Sequence, residues 1–110
     1  MSPLAPVVVT LPGDIDVTNA ADVETLITAA IAPGVTVVIA DLTATRFCDS
    51  AGLQHLLRAR KRAAGSGTQL RLAIDPHGPI ARVIELTGIS RHVPVYPTLQ
   101  QAAHGGPPPG

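Results

Sequence analysis

The chain has 110 residues, eight Lys or Arg against eight Asp or Glu, and 45% hydrophobic residues that include only one Phe, one Tyr and no Trp. Such a length suits one domain with a single, aliphatic core, and the zero net charge offers no bulk attraction to nucleic acid or to a membrane surface. One cysteine excludes an internal disulfide framework and fits a reducing cytoplasm, while the absence of a secretory h-region or of an apolar run near ~20 residues argues against membrane insertion.

Residues 1–5 are short, proline-punctuated and expected to be loose. Val7 to Leu11 reads as a strand whose far end Pro12 restricts to an edge or bulge, and Gly13 to Asp16 as a turn. Thr18 or Asn19 caps a first helix with Val23, Leu26, Ile27, Ala30 and Ile31 at the helical period, ended by Pro33-Gly34. Val35 to Leu42 is almost all apolar and mostly β-branched, as a strand buried on both faces of a parallel sheet requires. A second helix follows, its apolar stripe read as Leu53, Leu56, Leu57, Arg60 and Ala64, and Gly65-Ser66-Gly67 stops it. Asp49 or Ser50 can cap its start, which places Ser50 at the positive end of a helix dipole and at the carboxyl end of a central strand.

Gln69 to Ile74 alternates as a strand, Asp75 to Gly78 is a loop, and Pro79 to Gly88 frames a third helix with Ile80, Val83 and Ile84 on one side. Val93 to Tyr96 is a short strand that Pro94 assigns to an edge, and Thr98-x-x-Gln101 is a capping box for a last helix ending near Ala103. Residues 104–110 form a Gly/Pro tail expected to be disordered. The alternation of strands and helices predicts an α/β domain, a mostly parallel sheet of about four strands with helices packed against it. Charge is unevenly distributed: Asp14, Asp16, Asp22, Glu24 and Asp41 precede every Lys and Arg in the chain.

Gly13-Asp14-Ile15-Asp16, Asp41-Leu42, Phe47-x-Asp49-Ser50-x-Gly52-Leu53, Leu70-Arg71-Leu72 and Leu86-Thr87-Gly88 together resemble a STAS domain of the bacterial anti-sigma-factor-antagonist type, over roughly residues 6 to 103. The resemblance implies a switch and not an enzyme. It implies that Ser50 is phosphorylated by an anti-sigma factor that is also a serine kinase, with ATP bound by that partner, and that a serine phosphatase reverses the step. It further implies a cytoplasmic protein without cofactor or metal, whose partner surface is built from Asp14, Asp16, Asp49, Ser50, Ala51, Gly52, Gln54, His55 and Arg58. The alternative within the same fold is an accessory subunit that docks onto a transport ATPase with no phosphorylation. Family members often carry a strand before Val7, for which this sequence has almost no room, so a trimmed sheet is expected.

The residues admit other readings. Asp16 either orders the loop before the first helix or meets the kinase. A serine hydrolase needs small residues on both sides of its nucleophile, and Cys48 stands at the first glycine position of that elbow, with His55 on the same helix as Ser50. Cys48 has Phe47 and Asp49 as neighbours and no adjacent cation, so it reads as a packing residue. The histidines show no zinc-ligand spacing, and no phosphate-cradling loop is present. Arg58, Arg60, Lys61 and Arg62 are either a solvated face or a contact for an acidic partner, without aromatic platforms for single-stranded nucleic acid. Arg46 departs from the uncharged residue more common in the family and bears either on partner choice or on the phosphate at Ser50.

Overall fold

The apolar run in the middle of the chain forms the spine of the molecule. In the computed structural model, which describes residues 4–105, this run is β3 (Val37–Leu42), and it pairs in parallel with β1 (Val7–Thr10) on one side and β5 (Gln69–Ile74) on the other. A short β6 (Val95–Tyr96) closes the far edge, giving a wholly parallel four-stranded sheet in the order β1-β3-β5-β6. A second, two-stranded parallel sheet joins β2 (Asp14–Ile15) to β4 (Phe47–Cys48). The helices are α1 (Ala20–Ala29), α2 (Ser50–Gly65), α3 (Pro79–Thr87) and α4 (Leu99–His104), with a 3-10 turn at Ile89–Arg91.

Both faces of β3 are covered, which is why its sequence is apolar apart from Asp41, near its end. Val38, Ala40 and Leu42 join Val23 and Ile27 of α1, Leu56, Ala59 and Ala63 of α2, and Ile80 and Ile84 of α3 in one aliphatic core. On the opposite face Ile39 packs with Ala73, Tyr96 and Ala102 of α4 in a smaller cluster. The Arg71 guanidinium spans that second face, 6.0 Å from the centre of the Tyr96 ring and 2.8 Å from the Ala102 carbonyl oxygen that accepts its hydrogen bond. The acidic and basic parts of the chain are interleaved, because α1 lies against α2.

Several expectations change. The turn read at Gly13 to Asp16 contains β2, whose two residues are too few to show any periodicity. β3 begins at Val37 and not Val35, although Val35 is buried. Leu26, at the helical period of the apolar stripe of α1, is half exposed. The inward stripe of α2 is Gly52, Leu56, Ala59 and Ala63, and Arg60 and Ala64 face solvent. The small side chains carry this stripe, which lets the helix approach its neighbours closely, whereas Leu53 and Leu57 sit at its margin. α4 runs on to His104 before Gly105 ends it in a left-handed turn. The rest of the tail expected to be disordered, and residues 1–3 of the N-terminal stretch expected to be loose, lie outside the described residues.

Candidate functional site

β2 and β4 bring the Asp14–Asp16 stretch beside the Ser50 turn, although more than thirty residues separate them in the chain. Gly13 accepts hydrogen bonds on its carbonyl from the amides of Arg46 (2.7 Å) and Phe47 (3.3 Å), and the Asp49 amide donates to the Ile15 carbonyl at 3.0 Å. Behind this zipper the buried Thr45 hydroxyl donates to the Pro12 carbonyl at 2.8 Å, tying the loop after β3 to the end of β1. The start of α2 is thereby fixed relative to the loop that precedes α1.

At that start Asp49 is the N-cap, in extended backbone, and its Oδ1 accepts the Gly52 amide at 2.9 Å. The sequence left Asp49 and Ser50 open for this role; Asp49 takes it, and Ser50 becomes the first residue of the helix, exposed to solvent. Gly52 is buried because the helix end rests directly on the small sheet: a Cβ there would stand 2.6 Å from Cys48 Sγ and 2.8 Å from Ile15 Cγ2. No side chain larger than hydrogen fits without displacing its neighbours. The amides of the first helical turn have no acceptor within the helix and, together with the helix dipole, favour negative charge at this point.

The Asp16 loop is built by its own polar groups. The Asp16 carboxylate accepts hydrogen bonds from the amide and the hydroxyl of Thr18, and these hold its pKa below the ordinary carboxylate value. Asn19 occupies the N-cap position of α1 without capping it; its side-chain oxygen accepts the Asp16 amide at 2.9 Å and its nitrogen donates to the Asp14 carbonyl at 2.8 Å. Of the two roles open to Asp16, loop ordering is the one these bonds perform. Asp41 closes a similar turn, accepting from the amide and hydroxyl of Thr43, and Asp75 accepts from the His77 amide.

Along α2, Ser50, Gln54 and Arg58 recur every fourth residue and are all exposed, so they form one outward stripe. Ala51 is half-buried beside them. His55 is turned toward α1, where its Nδ1 lies 2.6 Å from Glu24 Oε1, an ion pair when the imidazole is protonated. Glu24 escaped sequence reasoning because its partner lies on another helix. Two apolar side chains near the site are exposed: Val17, next to Asp16, which the sequence did not single out, at 77%, and Phe47, the first residue of the motif and paired with Asp14 across the small sheet, at 48%. For Val17 the signal in the sequence was its place directly after the Gly13 to Asp16 turn.

A family model described as the STAS domain matches residues 3–102. The chain belongs to the STAS domain family. This STAS domain is also similar to solved structures. An anti-sigma factor antagonist from Mycobacterium paratuberculosis is 29% identical, with a TM-score of 0.76 over 93% of this chain and 86% of that one. A sulfate transporter family protein from Wolinella succinogenes is 16% identical, with a TM-score of 0.77 over 94% of this chain and 86% of that one. The murine anion transporter Solute Carrier 26 family member A9 is 19% identical with a TM-score of 0.65, over 96% of this chain and 17% of the transporter. A comparison with curated protein sequences gives no match.

Within this STAS domain, burial and the nearby Asp49 charge push the Cys48 thiol up to about 11, so at neutral pH it is protonated and a poor nucleophile. Among the described residues no group of three or more His, Cys, Asp or Glu is placed to hold a metal ion. No helix of the described residues is long and apolar enough to cross a membrane. What the site offers is a solvent-facing hydroxyl at a helix start, framed by acidic loops and a polar helix face.

Proposed function

We propose that this STAS domain is an anti-sigma factor antagonist that works as a phosphorylation switch in the cytoplasm. With Ser50 unmodified it binds an anti-sigma factor that is also a serine kinase, and so frees a sigma factor. Transfer of a phosphoryl group from ATP on that kinase to the Ser50 hydroxyl ends the interaction, and a serine phosphatase restores it. The domain itself catalyses nothing, and it needs neither cofactor nor metal.

The observation that carries this reading is the position of Ser50, exposed at the first residue of α2 and locked beside the Asp16 loop by the β2–β4 pairing. A phosphate there adds nearly two negative charges where helix amides can receive them. Asp49 already stands beside it as a like charge with one oxygen committed to the Gly52 amide. The modified turn therefore becomes a strongly hydrated anion in the middle of the docking face. That face consists of Asp14, Asp16, Asp49, Ser50, Ala51, Gln54, His55 and Arg58, with Gly52 beneath it setting the seat of the helix. The Mycobacterium paratuberculosis antagonist, similar over nearly the whole chain, supports the same assignment.

The second reading, a subunit docking onto a transport ATPase without phosphorylation, is favoured by the fold shared with the Wolinella succinogenes protein. Incubation with ATP and the candidate kinase, followed by intact-mass and peptide analysis, separates the two. One phosphate on Ser50, absent from Ser50→Ala, is expected. An unmodified chain that instead co-purifies with a transport ATPase would replace the first reading by the second.

A further inference from the structure

We propose that the outer edge of β1 is a self-association edge, on which a second copy of this chain lays its own β1 antiparallel and joins the two four-stranded sheets into one. The Leu11 amide donates to the Asp41 carbonyl of β3. By the alternation of a strand, the amides and carbonyls of Val7 and Val9 also face β3, and those of Val8 and Thr10 face outward. Among the described residues nothing pairs with that outer edge.

Exposed edges of folded sheets are ordinarily blunted by charge, proline, a bulge or a cover. The opposite edge, β6, is two residues long and follows Pro94. β1 is Val-Val-Val-Thr, without charge, glycine or proline inside it, and Pro6 and Pro12 merely frame it. The side chains are left incomplete as well. Val8 lies on the Ile39 face, where the short α4 packs on β3, β5 and β6, and it is 43% exposed. Val7 and Val9 lie on the main-core face and are only partly buried.

A second copy fits this edge because the edge is complementary to itself. A two-fold axis through Val9 sets Val8 opposite Thr10 of the other copy as hydrogen-bonded pairs, so each outward amide and carbonyl finds a partner and none is left over. Val9 then faces its own counterpart as a close, non-hydrogen-bonded pair, with Cα atoms about 4.5 Å apart. The first thirteen residues of the chain carry no charged side chain, so no like-charge repulsion opposes the symmetric contact.

The test is solution mass by light scattering and sedimentation from micromolar to near-millimolar concentration, together with two variants. The wild type is expected to reach twice the 11.3 kDa chain mass. Val8→Lys, a change at a half-exposed side chain, is expected to remain folded by circular dichroism and to be monomeric. Val9→Cys is expected to form an intermolecular disulfide on mild oxidation, since its pairing distance suits one and the buried Cys48 does not compete; it decides the matter by itself should Val8→Lys fail to fold. A wild type that stays monomeric, a dimer that survives Val8→Lys, or a Val9→Cys that does not cross-link each overturns the proposal. A monomer whose capture of the proposed kinase is lost in Val8→Lys also overturns it and assigns the edge to a strand from that partner.

Discussion

Replacing Gly52 with alanine adds one methyl group at the point where α2 rests on the β2–β4 sheet. The new Cβ would lie 2.6 Å from Cys48 Sγ and 2.8 Å from Ile15 Cγ2, and neither neighbour can swing away, because Ile15 is fully buried and Cys48 nearly so. Overpacking of this kind costs about 1–3 kcal/mol. Alanine recovers at most about 1 kcal/mol of helix propensity, and less in a first turn. The net loss of about 1–2 kcal/mol lowers Tm by roughly 4–10 °C in a domain of this size. Thermal unfolding followed by circular dichroism measures it, and Cys48→Ala supplies the control. With the sulfur gone, Gly52→Ala should cost about 1 kcal/mol less than it does in the wild type. A Gly52→Ala protein as stable as the wild type, or one whose loss is the same with and without Cys48, would refute the claim that the helix seat is set by this contact.

Asp49→Ala removes the cap on the Gly52 amide and should lose about 1 kcal/mol in urea unfolding, whereas Asp49→Asn should keep most of it. The Cys48 thiol, pushed from 9.0 to about 11, should resist thiol reagents in the native state at pH 8. It releases its proton later in the folded chain than in the unfolded one, so its contribution to stability is complete below about pH 9 and is lost as pH rises toward about 11. Asp16 should titrate below 3.8 by NMR and move up toward that value in Thr18→Val, because the Thr18 hydroxyl is the leading cause of its depression. Its contribution to stability is present above the ordinary carboxylate value and is lost as pH falls through the folded one.

Much of this arrangement is legible in the sequence wherever a local rule decides it. The strand read over Gln69 to Ile74 has the bounds of β5, although Ala73, on the face expected to be more polar, is fully buried. Pro79 and Gly88 bracket α3, with proline in its first turn and glycine in a left-handed turn at its end, and Thr98 accepts the Gln101 amide as its spacing implies. The features that were not legible depend on distance in the chain or on small side chains. β2 and β4 have two residues each and exist because they pair with one another across the fold. The buried stripe of α2 runs through Gly52, Ala59 and Ala63, where hydrophobic periodicity points to Leu53 and Leu57 instead. The contact between His55 and Glu24 requires α1 and α2 to be placed side by side first. At the candidate site, the resemblance singles out Asp14, Asp16, Asp49 and Ser50, while the side-by-side placement of the two stretches that carry them comes from the β2–β4 pairing and the bonds around it.

The most direct test of the switch is the affinity of the proposed anti-sigma kinase for this domain, measured by titration calorimetry with Ser50 unmodified and again after stoichiometric phosphorylation. The unmodified form should bind, and the phosphorylated form should bind at least tenfold more weakly, a loss of about 1.4 kcal/mol or more. Equal affinity for the two forms would contradict the account, since the exposed hydroxyl at the start of α2 would then carry no signal to its partner.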